Sequence, residues 1–226
     1  MLEKHRDWAS ARMDLISSPF DTWNPNTLSW LSFGLSCVAA LFFFGLRVVP
    51  QHSVLVPIFF FEAASCVFAG GVFDALDGHV ARKQGLTSKR GDYLDHVLDR
   101  YADTVILVGI AFSGWANPYL GLFALVSLLL SSYLGTQAQA VTGKRLYGGL
   151  LGRADRIVLV SVFALGMFVL TVWNYFAPAS SVLKLSMVWL GFTWGPLDVL
   201  LLYFIFAGQA TSAFRAIHTW RTLGPV

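Results

Sequence analysis

Residues 74–99 read DALDGHVARKQGLTSKRGDYLDHVLD, with Asp74, Asp77, Asp95 and Asp99 at helical intervals between long apolar stretches. Residues three or four apart share one face of a helix, so Asp74 and Asp77 point one way and Asp95 and Asp99 do the same on the next helix. The segment between, Lys83 to Arg90, is short enough to make the two helices antiparallel neighbours. The two carboxylate pairs are therefore expected to face each other across a small gap.

The rest of the chain makes those charges expensive. Of the 226 residues 56% are hydrophobic and only 13% are charged, against roughly 25% charged in ordinary soluble domains, and the mean hydropathy is +0.62. Such a composition excludes a single large soluble core and points to an integral membrane protein. Crossing the hydrocarbon takes about 20 residues of helix, and six stretches qualify: 27–47, 53–82, 91–114, 118–142, 153–176 and 187–214. The expected fold is all-α and membrane-integral, with six transmembrane helices in a domain spanning 23–226. Residues 1–22 precede it as an amphipathic juxtamembrane segment, in which Trp8, Ala11, Met13 and Leu15 alternate with Lys4, Arg6 and Arg12. An interfacial helix is the expectation there.

Orientation follows from the basic residues, which accumulate on the cytoplasmic side of a membrane. In a six-span reading 14 of the 16 Lys and Arg residues fall on one side, and only Arg47 and Lys184 on the other. Both termini and the aspartates are thus expected at the cytoplasmic face. The first twenty residues lack the uninterrupted apolar core of a cleavable signal peptide. Cys37 and Cys66 sit in apolar runs and read as small buried hydrophobes. No basic-aromatic pattern points to nucleic acid.

Four carboxylates beside a low-dielectric slab must be protonated or must recruit cations, because an unpaired buried charge is costly. Two divalent ions balance them. All-oxygen ligands favour Mg²⁺ or Mn²⁺, and Mg²⁺ commonly combines carboxylates with water and substrate phosphate. At a membrane surface this points to a phosphate-bearing lipid substrate. Gly78, Ala81 and Gly91 leave room for backbone to approach a ligand.

The pattern Asp74-x2-Asp77-Gly78-x2-Ala81-Arg82-x8-Gly91-x3-Asp95-x3-Asp99 resembles, at every fixed position, the signature of the CDP-alcohol phosphotransferases, and six spans agree with that family's core bundle. The resemblance implies transfer of a phosphatidyl-type group from a CDP-linked lipid to a hydroxyl of a small polar acceptor, with release of CMP. It implies Asp74, Asp77 and Asp95 as principal ligands of two Mg²⁺ or Mn²⁺ ions, and Asp99 as support for the second ion or as catalytic base. Gly78, Ala81 and Arg82 would line the nucleotide, and Gly91 would make room for it. Asn26, in WNPNTLSW, is a candidate nucleotide contact by the same likeness, and equally reads as part of a helix cap behind Pro25. A homodimer is implied by the resemblance alone.

For the acceptor, Lys144, Arg145, Arg153 and Arg156 stand near the same predicted surface. Arg offers paired donors to a phosphate and Lys a point charge, although Lys144 and Arg145 also read as plain positive-inside residues. The GRADR run at 152–156 resembles members that use inositol phosphate or glycerol phosphate, and the wider texture resembles archaeal members, which implies CDP-archaeol as an alternative to CDP-diacylglycerol. Gly135, Thr136, Gln137 and Gln139 stand where those members carry basic residues. His79 and His96 read as water-facing or supporting groups. Glu62, Asp103 and Asp198 lie within spans, either functional or as hydrogen-bonded packing groups. A cation transporter is the competing class, and the clustering of carboxylates at one end argues against it, because transporters bind near the midplane.

Overall fold

Asn24 and Pro25 begin the first helix for separable reasons. Pro25 has the φ of a first helical turn and no amide to leave unsatisfied, while the Asn24 side chain accepts from the Asn26 amide at 3.0 Å. The cap is therefore Asn24, not Asn26 or Thr27, and the Asn26 side chain is left for other work. The same Asn-Pro device opens the fourth helix, where Asn117 accepts from the Tyr119 amide. Ser88 opens the third, accepting from the Gly91 amide.

The computed structural model describes residues 13, 14, 16–143, 148–176, 187–189 and 192–223. After a 3₁₀ turn at Ser18–Phe20 come six long helices: α1 (Pro25–Gly45), α2 (Leu55–Lys83), α3 (Lys89–Ala111), α4 (Pro118–Thr142), α5 (Arg153–Phe176) and α6 (Pro196–Leu223). A two-stranded antiparallel ribbon, β1 (Met187–Trp189) with β2 (Phe192–Trp194), precedes α6 and pairs Val188 with Thr193. Among the described residues, five helices are long and apolar enough to cross a membrane. The exception is α3, whose first turns carry Asp92, Asp95, Asp99, Arg100 and Asp103. With 29 residues, α2 runs roughly 43 Å, more than the ~30 Å of hydrocarbon, so its last turns have length to spare.

The sixth helix does not start at 187 as the hydropathy implied. Residues 187–189 and 192–194 are extended, and the helix begins at Pro196, because a proline disfavours α conformation in the residue before it and suits the first helical turn itself. Asp198 then accepts from the Gly195 amide at 2.8 Å and from the Asn117 amide at 2.6 Å. This carboxylate joins the start of α6 to the start of α4.

In the bundle α1 packs against both α2 and α3, α2 against α5, α3 against α4, and α4 against α6. The larger apolar core includes Phe43, Phe60, Leu107, Met167 and Phe204. Contrary to the tight pair expected from the short loop, the backbones of α2 and α3 scarcely approach one another. They reach common ground through α1, which lies against both. A smaller core of Leu28, Leu76 and Val80, joined by Met13, Phe20 and Phe73, packs the chain before α1 onto the end of α2. Lys83 there donates to Asp21 at 2.5 Å, His79 Nε2 lies 2.9 Å from Asp14 Oδ1, and Gln84 donates to the carbonyls of Asp21 and Trp23. Residues 1–12 and 15, which hold most of the expected amphipathic pattern, lie outside the described residues.

Candidate active site

The gap between the ends of α2 and α3 is where the carboxylates meet. Asp74, Asp77 and Asp95 each offer an oxygen, all within 4.8 Å of one another, and Asp95, His96 and Asp99 form a second such group. Asp77 and Asp99 are buried, while Asp74 and Asp95 are partly open. The first group is all oxygen, a donor set suited to Mg²⁺ or Mn²⁺. In the second, His96 stands closer than the sequence implied, with Nδ1 3.6 Å from Asp95 Oδ2.

Ser29 on α1 donates to Asp77 Oδ2 at 2.5 Å. It fixes one oxygen of the Asp77 carboxylate. Ser32 donates to the Gly70 carbonyl at 2.8 Å, where α1 crosses α2. Neither serine was singled out from the sequence, although Ser29, Ser32 and Ser36 recur at helical spacing and are all buried, a polar stripe that an otherwise apolar span has no need of. Groups that orient metal-binding side chains typically change metal affinity about 10- to 100-fold when removed. Ser29→Ala is therefore expected to weaken Mn²⁺ binding by roughly tenfold or more without unfolding the bundle, measured by titration followed by electron paramagnetic resonance. Unchanged Mn²⁺ affinity would leave Ser29 a packing residue only.

Arg153, the first residue of α5, reaches into the same gap. Its Nη1 pairs with both Asp74 Oδ1 and Asp99 Oδ1. Arg153 borders two spaces. One is a narrow cleft with Ser29, Ser32, Asp74 and Asp95. The other is a cavity of about 810 Å³ lined also by Asp99, Arg100, Arg156 and Arg215. Asp99 belongs to the second space and links it to the carboxylates.

Arg156 is held by Asp103 at 2.5 Å and by the Gly152 carbonyl at 3.3 Å. Arg215, which the sequence offered only as one of many positive-inside residues, donates to the Ser131 and Gly148 carbonyls at 2.5 and 3.1 Å. Its contribution comes from the far end of α6, and only its i, i+4 spacing from the buried Thr211 hinted at an inward face. Of the positions that depart from the basic pattern, Gly135, Thr136 and Gln139 line the cavity. Lys144 and Arg145 lie outside the described residues.

Of the residues expected at the nucleotide, Asn26 and Gly91 are brought together: a Cβ on Gly91 would lie 3.8 Å from Asn26 Oδ1 and 3.3 Å from Ser88 Oγ. A Cβ on Gly78 would meet Arg82 Nη1 at 3.3 Å. Gly78, Ala81 and Arg82 occupy the last two turns of α2, immediately beyond Asp77. His79 turns away, toward Asp14.

Residues 22–220 match the family profile described as CDP-alcohol phosphatidyltransferase. The chain belongs to that family. Among its relatives is an archaetidylinositol phosphate synthase of Methanothermobacter thermautotrophicus, 34% identical over 49% of this chain and 56% of the relative. Another, of the same name, from Pyrococcus horikoshii is 31% identical over 62% of this chain and 69% of the relative. The chain thus spans between about half and two thirds of the length of these relatives. The phosphatidylinositol phosphate synthase of Mycobacterium tuberculosis shares the fold. Its structure with CDP-DAG bound superposes with a TM-score of 0.63 at 23% identity, over 91% of this chain and 94% of that one, and its complex with manganese and citrate gives 0.60 at 24%, over 93% and 87%. Family membership and five helices of spanning length and apolarity make the chain an integral membrane protein.

Proposed function

We propose that this family member transfers a phosphatidyl-type group from a CDP-linked lipid, CDP-diacylglycerol or CDP-archaeol, to a hydroxyl of inositol phosphate, releasing CMP. The observation that carries the reading is the adjacency of two unlike spaces that share Arg153, a cleft bordered by Asp74 and Asp95 and a cavity bordered by Asp99, Arg100, Arg156 and Arg215. The names of the relatives and the CDP-DAG and manganese complexes of the M. tuberculosis enzyme support it.

Asp74, Asp77, Asp95 and Asp99 would hold two Mg²⁺ or Mn²⁺ ions, which when bound neutralise charge on the diphosphate and on the departing CMP. Asn26, Gly78, Ala81, Arg82 and Gly91 receive the nucleotide, the small residues giving it close access to backbone. Arg153 and Arg156, with Lys144 and Arg145 earlier in the chain, hold the acceptor's phosphate through charge-assisted hydrogen bonds. Asp99, bordering the cavity, takes the proton of the acceptor hydroxyl. As that proton leaves, the hydroxyl oxygen bonds to the lipid-side phosphorus and the phosphorus–oxygen bond to CMP breaks.

In this reading α3 spans as well and brings the spans to six, the site and both termini face the cytoplasm, and the protein works as a homodimer among membrane lipids. Glycerol phosphate is the second acceptor reading, because the arginines would recognise the phosphate whichever polyol carries it. The test is CMP release from purified protein with Mg²⁺ and each CDP-lipid, adding inositol phosphate, glycerol phosphate, inositol, serine or glycerol singly. The expected result is CMP release that depends on inositol phosphate. Release only with an unphosphorylated alcohol removes the acceptor assignment, and none with any pair removes the transferase.

A further inference from the structure

Asp103 stands one turn beyond Asp99 on α3, inside the bundle, and does not itself line the large cavity. Its carboxylate reaches across to α5 and accepts from Arg156 Nη1 at 2.5 Å, and the two side chains are only 11% and 9% exposed. The Gly152 carbonyl takes Arg156 Nε at 3.3 Å. Two of five guanidinium N–H donors are thereby used on the protein, and Arg156 nevertheless borders the cavity. The plane of the guanidinium is set by its hydrogen bonds at both ends.

We infer that Asp103 is a positioning residue for the acceptor: it holds the Arg156 guanidinium in the plane that presents its remaining donors to the acceptor's phosphate. The inference rests on the proposed acceptor cavity. Its physical basis is that a buried arginine has little water to replace a lost partner, so removing the carboxylate strands the charge and lets the side chain reorient. A bidentate grip on phosphate is sensitive to that orientation in a way that a lysine's point charge is not. The carboxylate also lowers the net positive charge of a cavity that already holds Arg100, Arg153 and Arg215, so the pair supplies direction rather than bulk attraction.

The experiment is steady-state CMP release by purified Asp103→Asn, Asp103→Glu, Arg156→Gln and the Asp103→Asn/Arg156→Gln double variant, with donor and acceptor varied separately. Misplacing a substrate-orienting group is worth up to roughly a hundredfold. Asp103→Asn is expected to raise the acceptor KM roughly tenfold with the donor KM near wild type, and Asp103→Glu, which keeps the charge, to recover much of the loss. In the double variant the acceptor KM should match that of Arg156→Gln alone, since a residue acting only through another adds nothing once that other is gone. If the two effects multiply instead, Asp103 does not act through Arg156 and the inference is overturned. It is equally overturned if Asp103→Asn and Asp103→Glu both leave the acceptor KM unchanged while Arg156→Gln raises it. If Arg156→Gln itself leaves the acceptor KM unchanged, the acceptor cavity reading falls first, and the positioning role falls with it.

Discussion

Asp99→Asn protein is expected to fold and insert normally and to release CMP roughly a thousandfold more slowly than wild type. Asparagine matches the shape of aspartate and can still hydrogen-bond, so the buried site on α3 keeps its packing. What is lost is the negative charge and the capacity to take a proton. Of the four aspartates, Asp99 is the one that both belongs to the cluster with Asp95 and His96 and borders the arginine-lined cavity, so no other of these carboxylates serves both sides in its place. The measurement is CMP release under saturating donor and acceptor, with size-exclusion behaviour as the control for folding. In the same assay EDTA should stop wild-type turnover and added Mg²⁺ or Mn²⁺ should restore it. Turnover by Asp99→Asn near the wild-type rate would remove Asp99 as base, and turnover that survives chelation would remove the metal assignment for all four aspartates.

A large effect on stability is expected at Gly109→Val, far from any carboxylate. A Cβ at Gly109 would lie 2.7 Å from the Ala40 carbonyl oxygen and 3.0 Å from Ala40 Cα. The obstacle is backbone, which cannot rotate away as a side chain can, so α1 and α3 must separate. Overpacking in a well-packed interior typically costs about 1–3 kcal/mol, and here the penalty should reach the top of that range or exceed it. Because α1 also packs against α2, the shift would be passed to the carboxylate gap and reduce activity as well. Gly34→Ala on α1 is the control, since nothing lies within 4 Å of its added carbon. Thermal unfolding in detergent should separate the two variants, and equal midpoints would mean that the α1–α3 contact is looser than the structure has it.

Much of the site was legible because it is local. The 74–99 run places two carboxylates per helix by helical spacing alone, and Pro25 marks the entry to α1. The start of α6 was misread because hydropathy does not distinguish an apolar ribbon from an apolar helix. Only the Pro196 signal did, through backbone sterics. The cap of α1 was left open for a related reason: Asn24 and Asn26 are chemically alike, and only backbone geometry separates the capping side chain from the one left near Gly91.

What the chain determined by itself was the class of chemistry, because residues i, i+3 and i+4 on one helix must share a face wherever that helix sits. What only the tertiary structure decided was which elements reach that chemistry from elsewhere. Ser29 approaches from α1, Arg153 and Arg156 from α5, Arg215 from α6 and Asp103 across the bundle. The separation of α2 from α3 was likewise settled by packing, with α1 lying against both helices and Arg153 pairing with a carboxylate of each. Sequence spacing has no term for such approaches, since they depend on how closely backbones can pass, as Gly109 and Ala40 do, and on which buried charges must find one another once water is excluded.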